Sequence, residues 1–477
     1  MTRQRFRGRW RAVAVVVALG TTALGPVTPA VAVHGAVPGD FNGDGYRDAV
    51  LPAPGANVAG KDGAGAVVVL YGSRSGLSAS RRQAITQNSA GVPDSAEAGD
   101  GFGAATATAD INRDGFADLV VAAPYEDTSK GTDSGAVVAL WGSKNGLTSA
   151  TDLPNPARPH DGAREYGRDV AVFAGGPGAK TQVAVAGTDG SVYFTGPFSR
   201  TGTYGSRAYN RNTPSVASVA LGDFNHDGAP DPVAITVRLA GLSGGEVYRG
   251  PGMMYDDYMA QGNGLIAATG DINGDSYADL VVGDPDEPAK DGVDGAHGGR
   301  VLVWYGAKQG IPFDAKPVQL TQNTAGVPGT SDKGDDFGGA LAVADLNRDG
   351  LADIVVGTPY EGRSHAGQVT IIPGRRSGAL GAGSYSFTQD TADVPDTSES
   401  DDAFGTTVAV GDVNGDGRPE LFVSAAFENM GPGAVWVFPG TTTGPTARGC
   451  HEFTPSSVGL SDRSPSYLGG AGLLWMI

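Results

Sequence analysis

The chain has 477 residues, a net charge of −18 from 52 acidic and 34 basic side chains, 76 glycines, 30 prolines and one cysteine. The acid excess excludes a nucleic-acid partner, because phosphate binding needs basic patches. The single Cys450 excludes an internal disulfide, and so much glycine and proline with few helix-forming stretches reads as all-β.

Residues 1–32 read as a secretory signal peptide. Arg3, Arg5, Arg7, Arg9 and Arg11 form a basic region, residues 12–24 a short apolar stretch, and Ala30-Val31-Ala32 a cleavage site. The apolar run is too short to span a bilayer. The mature protein, residues 33–477, is therefore expected to be secreted, without a membrane span and monomeric. Loss of the five arginines takes the charge from −18 to −23.

Six nine-residue stretches then recur: 40–48, 110–118, 223–231, 271–279, 345–353 and 412–420. Positions 1, 3, 5 and 9 carry oxygen ligands. They are Asp40, Asn42, Asp44 and Asp48; Asp110, Asn112, Asp114 and Asp118; Asp223, Asn225, Asp227 and Asp231. The later copies are Asp271, Asn273, Asp275 and Asp279; Asp345, Asn347, Asp349 and Asp353; Asp412, Asn414, Asp416 and Glu420. Position 6 is Gly45, Gly115, Gly228, Gly350 or Gly417, with Ser276 in the fourth copy. A glycine there permits the positive φ of a tight loop. The carbonyls at position 7, of Tyr46, Phe116, Ala229, Tyr277, Leu351 and Arg418, can turn inward as further ligands. Alternate oxygens on a loop that folds back suit calcium, which takes six to eight oxygens at about 2.3–2.6 Å. One such turn could be a solvated Asx-turn, but six matching copies point to about six Ca²⁺ ions. These would substitute for the missing disulfide staple. An EF-hand is excluded, since position 12 is Leu51 or Val121 instead of Glu. Short β-branched runs such as Leu119-Val120-Val121 follow, so each loop joins two strands.

A second motif, Gly-x-Val with further apolar residues, starts at Gly65, Gly135, Gly190, Gly245, Gly299, Gly367 and Gly433. Seven strand repeats against six loops leave one unit without a metal site. It lies around residues 166–196, where the turn 173–182 contains no acid. Phe102-Gly103, Phe337-Gly338 and Phe404-Gly405 precede loops, and a Thr-Gln insert recurs at Thr86-Gln87, Thr321-Gln322 and Thr388-Gln389. Ala122-Ala123-Pro124 and Gly357-Thr358-Pro359 close the strand after the loop. Repeats of 40–50 residues with loop insertions are propeller-sized, and a ring buries the two apolar ends that a linear array exposes.

Together, Phe-Gly, acidic loop, strand and a Gly-Ala-Pro-like turn resemble the FG-GAP repeat of the integrin α-subunit N-terminal propeller, over residues 33–477. The resemblance implies a seven-bladed β-propeller with calcium in hairpin loops on its lower face, and a role in adhesion or in protein or carbohydrate recognition. The chain departs from the pattern in its loopless third repeat, in altered Gly-Ala-Pro turns, and in lacking Phe-Gly before Asp223 and Asp271. The same repeats resemble those of a glycosylphosphatidylinositol-specific phospholipase, whose catalytic domain is separate. A hydrolase-associated role and a structural role at the cell envelope are the alternatives.

No catalytic constellation emerges. The one G-x-S-x-G match, Gly241, Ser243 and Gly245, runs on into a strand, whereas a nucleophile elbow needs a helix there. His226 sits at position 4 of a loop and should point outward. Aromatics Tyr71, Trp141, Tyr193, Tyr248, Trp304, Trp436 and Phe438 on the Gly-x-Val strands should fill the core between blades. Few residues precede Asp40, so the first blade should lack a strand, and residues 467–474, which resemble 337–343, are expected to pair into it.

Overall fold

The computed structural model describes residues 39–475 apart from 160–163, 177, 214, 239–242, 251–257, 289, 291–292 and 363. The signal-peptide reading lies outside the described residues. In the sixth repeat, Ala340–Ala344, Asp353–Thr358, Gln368–Ile372 and Tyr385–Phe387 form a four-stranded antiparallel meander. Five other sheets repeat that order, and the first, Ala49–Ala53, Ala66–Leu70 and Arg82–Ile85, has three strands. First strands of successive sheets pack against one another and line a common axis. The chain is an all-β, seven-bladed propeller.

Its core lies between blades. Among the described residues, buried apolar side chains form seven clusters, one at each junction. Successive side chains of a strand point to opposite faces, so Leu51 faces blade 7 while Val50 faces blade 2. Both faces are covered, and the strands accordingly read as continuous apolar runs. Trp141, Trp304, Trp436 and Phe438 are buried in these clusters, and Tyr193 and Tyr248 join the one between blades 3 and 4. Tyr71 is half-buried.

The Phe-Gly motif is an inter-blade lock. A Cβ on Gly65 or Gly367 would lie 2.3 or 2.2 Å from the carbonyl oxygen of Phe102 or Phe404 in the next blade. The glycine that opens each of these strands is therefore required by close approach. In blade 3, Tyr166 takes the phenylalanine's place against Gly135. At blade 7 the partner of Gly433 is Leu468, whose nitrogen lies 2.5 Å from where a Cβ would be. The following Gly469 N–H donates to the Pro52 carbonyl at 2.7 Å, as Gly103 does to Ala122 at 2.9 Å.

The tail thus docks on blade 1, but not as a strand. Gly469 and Gly470 both have positive φ, 96° and 94°, which breaks extended backbone, and a 3₁₀ turn, Gly472–Trp475, follows. The antiparallel bridge to Asp48, at the start of the second strand, comes from Gly39 instead.

Candidate metal centres

In the four-stranded blades each acidic stretch is the hairpin between the first and second strands, and in blade 1 it leads into Ala49–Ala53. The residue before position 1 pairs with position 9: Ala109 with Asp118, Gly222 with Asp231, Gly270 with Asp279, Ala344 with Asp353, Gly411 with Glu420, and Gly39 with Asp48 as an isolated bridge. All six hairpins therefore lie on one face of the ring.

Inside a loop the side chains turn toward the backbone. Asp40 accepts the N–H groups of Gly43, Asp44 and Gly45 at 2.7, 3.1 and 3.0 Å. Asn42 Oδ1 accepts Asp44 N–H at 2.8 Å, and Asp44 Oδ1 accepts Tyr46 N–H at 3.0 Å. The position-3 amide reaches the position-5 carboxylate in three loops, at 3.2 Å (Asn42), 3.0 Å (Asn225) and 2.9 Å (Asn273). Asn414 instead donates to Glu420 at 2.6 Å. The position-7 N–H groups face position 5, as with Phe116, Ala229, Tyr277, Leu351 and Arg418.

Position 9 is also tied into the blade itself. In four loops its carboxylate is buried and braced by two N–H donors. One is the apolar residue at position 2: Phe41, Ile111, Ile272 and Leu346 donate at 2.8–3.1 Å. The other is the glycine closing the Gly-x-Val strand: Gly72, Gly142, Gly306 and Gly374 donate at 2.9–3.0 Å. A Cβ on Gly72 or Gly142 would lie 2.1 or 2.0 Å from the position-8 carbonyl. That second partner is 24 residues away in blades 1 and 2 and is invisible to a loop motif.

Electrostatically the loops are over-acidic. Burial pushes Asp48, Asp118, Asp279, Asp353 and Glu420 up to about 7, against the pull of the two N–H donors. Repulsion from the carboxylates at positions 1 and 5 adds to the rise. Asp231, whose loop leaves it half-buried, is raised as well. In the last loop Asp412 Oδ1 is buried without a hydrogen-bond partner. The carboxylate and amide oxygens of each loop are of the type a hard cation takes, although among the described residues no loop brings three carboxylate oxygens within 4.8 Å of one another.

The second loop is a special case. Arg200 from blade 3 donates to Asp114 Oδ2 at 2.6 and 3.0 Å, so a protein cation already stands beside position 5. Arg113 at position 4 extends into the acid-free turn of blade 3, donating to the carbonyls of Gly175 and Ala179 at 3.0 and 2.6 Å. Elsewhere the residue after the closing glycine caps the position-2 carbonyl of the preceding loop: Ser143 caps Phe41, Ala307 caps Phe224 and Ser73 caps Val413. In blade 3 that residue is Pro197, which has no N–H, and the Thr181 hydroxyl caps Ile111 at 2.8 Å. His226 is exposed and meets only the edge of Tyr277, at 6.2 Å between ring centroids.

The serine of the G-x-S-x-G match is structural. Ser243 is buried, its hydroxyl 2.8 Å from Asp284 Oδ2 and 2.9 Å from the Asp294 carbonyl, and it accepts Asn263 Nδ2 at 3.0 Å. Arg300, also buried, donates to the same Asp284 oxygen and to Asp294, each at 2.8 Å. Burial raises Asp284 to about 7 in spite of that guanidinium. Among these partners of Ser243 there is no histidine. Arg300→Met should cost about 3–5 kcal/mol by leaving Asp284 buried and unpaired, and Ser243→Ala about 1–3 kcal/mol. Chemical denaturation measures both; a Ser243→Ala protein as stable as its parent would show that the hydroxyl is dispensable.

One further carboxylate group was not anticipated from the sequence. Glu399, Asp402 and Glu428 bring ligand oxygens within 4.8 Å of one another, a potential metal-binding cluster. It lies at the opposite end of the blades from the hairpin loops, because Glu428 follows the second strand, which runs away from its loop.

Fold and loops define a propeller with acidic hairpins on one face. The FG-GAP repeat profile matches residues 32–70, 102–140, 263–304, 337–372 and 404–438, in blades 1, 2, 5, 6 and 7. The chain is 31% identical over 292 residues to integrin alpha pat-2 of Caenorhabditis briggsae, covering 57% of this chain and 23% of that protein. It is 31% identical over 233 residues to integrin alpha-V of Gallus gallus, covering 45% and 21%. Phosphatidylinositol-glycan-specific phospholipase D of Mus musculus is 34% identical over 169 residues, covering 34% and 18%. Five stretches of the chain thus match the FG-GAP repeat, and part of the chain is similar to integrin α-subunits. It matches between 18% and 23% of the length of these three relatives.

Proposed function

We propose that this is a secreted, calcium-stabilised propeller acting as an adhesion or recognition module. Each of its six hairpin loops would hold one Ca²⁺, in the second loop through Asp110, Asn112, Asp114, Asp118 and the Phe116 carbonyl. Bound calcium would neutralise the loop carboxylates and fix the hairpin. The observation that carries this reading is the sixfold coincidence of donor set and register, with position 9 buried at the strand junction in five of the six loops. Homology to integrin α-subunits supports recognition of a protein or glycan ligand. No helix among the described residues is long and apolar enough to cross a membrane, which is consistent with secretion.

Blade 3 is expected to bind no ion in its acid-free turn, where Arg113 already serves the carbonyls. Elemental analysis of the purified chain, compared with Asp110→Ala, tests the loop sites. The variant should lose one calcium, and Arg200→Ala should tighten the second site by removing the competing guanidinium. An Asp110→Ala protein that retains every ion of its parent would overturn the assignment. Recognition is tested by capture of binding partners from the extracellular fraction, with calcium and with chelator. Partner capture that ignores calcium would separate binding from the metal-dependent fold.

The phospholipase relatives favour a second reading, an accessory to a separate hydrolase. That reading requires a catalytic partner. Co-purification of a hydrolase with this chain would support it.

A further inference from the structure

We propose that the face opposite the hairpin loops carries a second set of divalent-cation sites, one at each of three blade-to-blade connections, built from carboxylates and a glutamine amide oxygen. The fullest is at the connection from blade 6 to blade 7. Asp402 and Glu428 are buried, at 2% and 1% exposure, while Glu399 at the rim is exposed. Gln389, 1% exposed, donates from Nε2 to Glu428 at 2.6 Å and also faces Asp402. Its Oε1 is buried with no hydrogen-bond partner.

The same glutamine–glutamate pair stands beside an aspartate at two other connections, while among the described residues the blade 6–7 connection alone brings three carboxylate oxygens within 4.8 Å. Gln87 donates to Glu126 beside Asp100 between blades 1 and 2, and Gln322 to Glu361 beside Asp335 between blades 5 and 6. In each case glutamine and glutamate are 39 residues apart. The central aspartate follows its glutamine by 13 residues in all three copies. It accepts the N–H of the acid three residues before it, at 2.5 Å from Glu97 and 2.6 Å from Asp332 and Glu399. In all three, the glutamine Oε1 is buried and unpartnered.

Three buried acceptors left unsatisfied at equivalent places call for a physical explanation, because an unpaired buried acceptor forfeits the hydrogen bond it had with water. Neighbouring carboxylates are further acceptors, and the donors beside them at the blade 6–7 connection are already engaged: Gln389 Nε2 and Asn429 Nδ2 on Glu428, and the Glu399 N–H on Asp402. A half-turn of the glutamine amide exchanges Nε2 for Oε1 and directs the carbonyl among the carboxylates. Carboxylates, an amide carbonyl and room for water at the exposed rim match the oxygen-ligand preference of Ca²⁺. Such an ion would pin the crossover between blades, whereas the hairpin ions act within one blade.

The rival occupant is a proton shared between Glu428 and Asp402. Glu428→Gln separates the two. Calcium bound to the full chain is counted by equilibrium dialysis with calcium as the sole probe, alongside Asp110→Ala as the hairpin reference. A cation site predicts that Glu428→Gln loses one calcium. It further predicts a lower melting temperature than the parent in calcium, and an equal or higher one in chelator. An unchanged calcium count, with Glu428→Gln melting above the parent in both conditions, would establish the shared proton and overturn the proposal. Should Glu428→Gln fail to fold, Gln389→Ala, which removes no charge, gives the same reading: about tenfold or more weaker binding at one site is expected, and unaltered binding overturns it. Loss of an ion in Asp110→Ala but not in these variants would refute the opposite-face sites alone, and the converse would refute the hairpin sites alone.

Discussion

Chelation of calcium should lower the melting temperature on the order of 10 °C or more, the largest change expected for any treatment that leaves the covalent chain intact. A site saturated a hundredfold over its dissociation constant adds roughly 2.7 kcal/mol, and six hairpins multiply the term. Extracellular calcium modules bind at about 10⁻⁴–10⁻³ M, so the effect should titrate in that range. Removing the ions leaves the position-9 carboxyl repelled by those at positions 1 and 5. The pH dependence follows with a definite sign. Five of the six position-9 carboxyls are raised from 3.8 (4.5 for Glu420) to about 7 by burial. A carboxyl raised in the folded state holds its proton more tightly there than in the unfolded chain. The metal-free protein should therefore lose stability as pH rises from about 4 through about 7. In chelator the protein should melt higher near about pH 5.5 than near about pH 7.5, and saturating calcium should abolish or reverse that order. Differential scanning calorimetry in the four combinations checks this. Identical melting in calcium and chelator at both pH values would remove the hairpins from the stability of the fold.

Truncation after Arg463 should be the most damaging change to the chain itself. The tail supplies Leu468, buried in the cluster that closes blade 7 on blade 1, and Gly469, whose N–H meets Pro52. Gly433 is shaped for this contact just as Gly65 is shaped for Phe102. Without the tail, that junction opens to water and the three-stranded first blade gains an exposed flank, an invitation to association. We expect a truncated chain to aggregate or to melt far below its parent. Leu468→Ala alone should cost about 2–5 kcal/mol. Light scattering and thermal melting decide the matter: a truncated chain that remains monomeric and melts with the parent would show that the ring holds without its tail lock.

Much of this architecture was legible in the sequence because its determinants are local and repeated. Hairpin, acidic spacing and strand lie within some twenty consecutive residues, so the six loops and seven strand repeats could be aligned by eye. Asp110 to Asp118 sits where its pattern said, at the end of Ala105–Ala109 and the start of Asp118–Ala123. The acid-free turn of the third repeat was equally plain. The docking of the tail was legible only in part: its similarity to residues 337–343 marked the right blade, while the consecutive positive-φ Gly469 and Gly470 gave it a turn where a strand was expected.

What tertiary structure alone decided are the partners that ring closure brings together across the chain. Arg200 meets Asp114 from 86 residues away, Gln389 meets Glu428 from 39, and Ser243 meets Asp284 from 41. No periodicity encodes such pairs, since each joins a loop of one blade to a loop or strand of the next. The same holds for the acid at position 9. Its spacing marks it as an oxygen ligand, yet its burial and its second N–H donor depend on the third strand of the blade folding back beside it. Short-range spacing sets which oxygens a loop can offer; packing between strands and blades sets which of them are charged, braced or left without a partner.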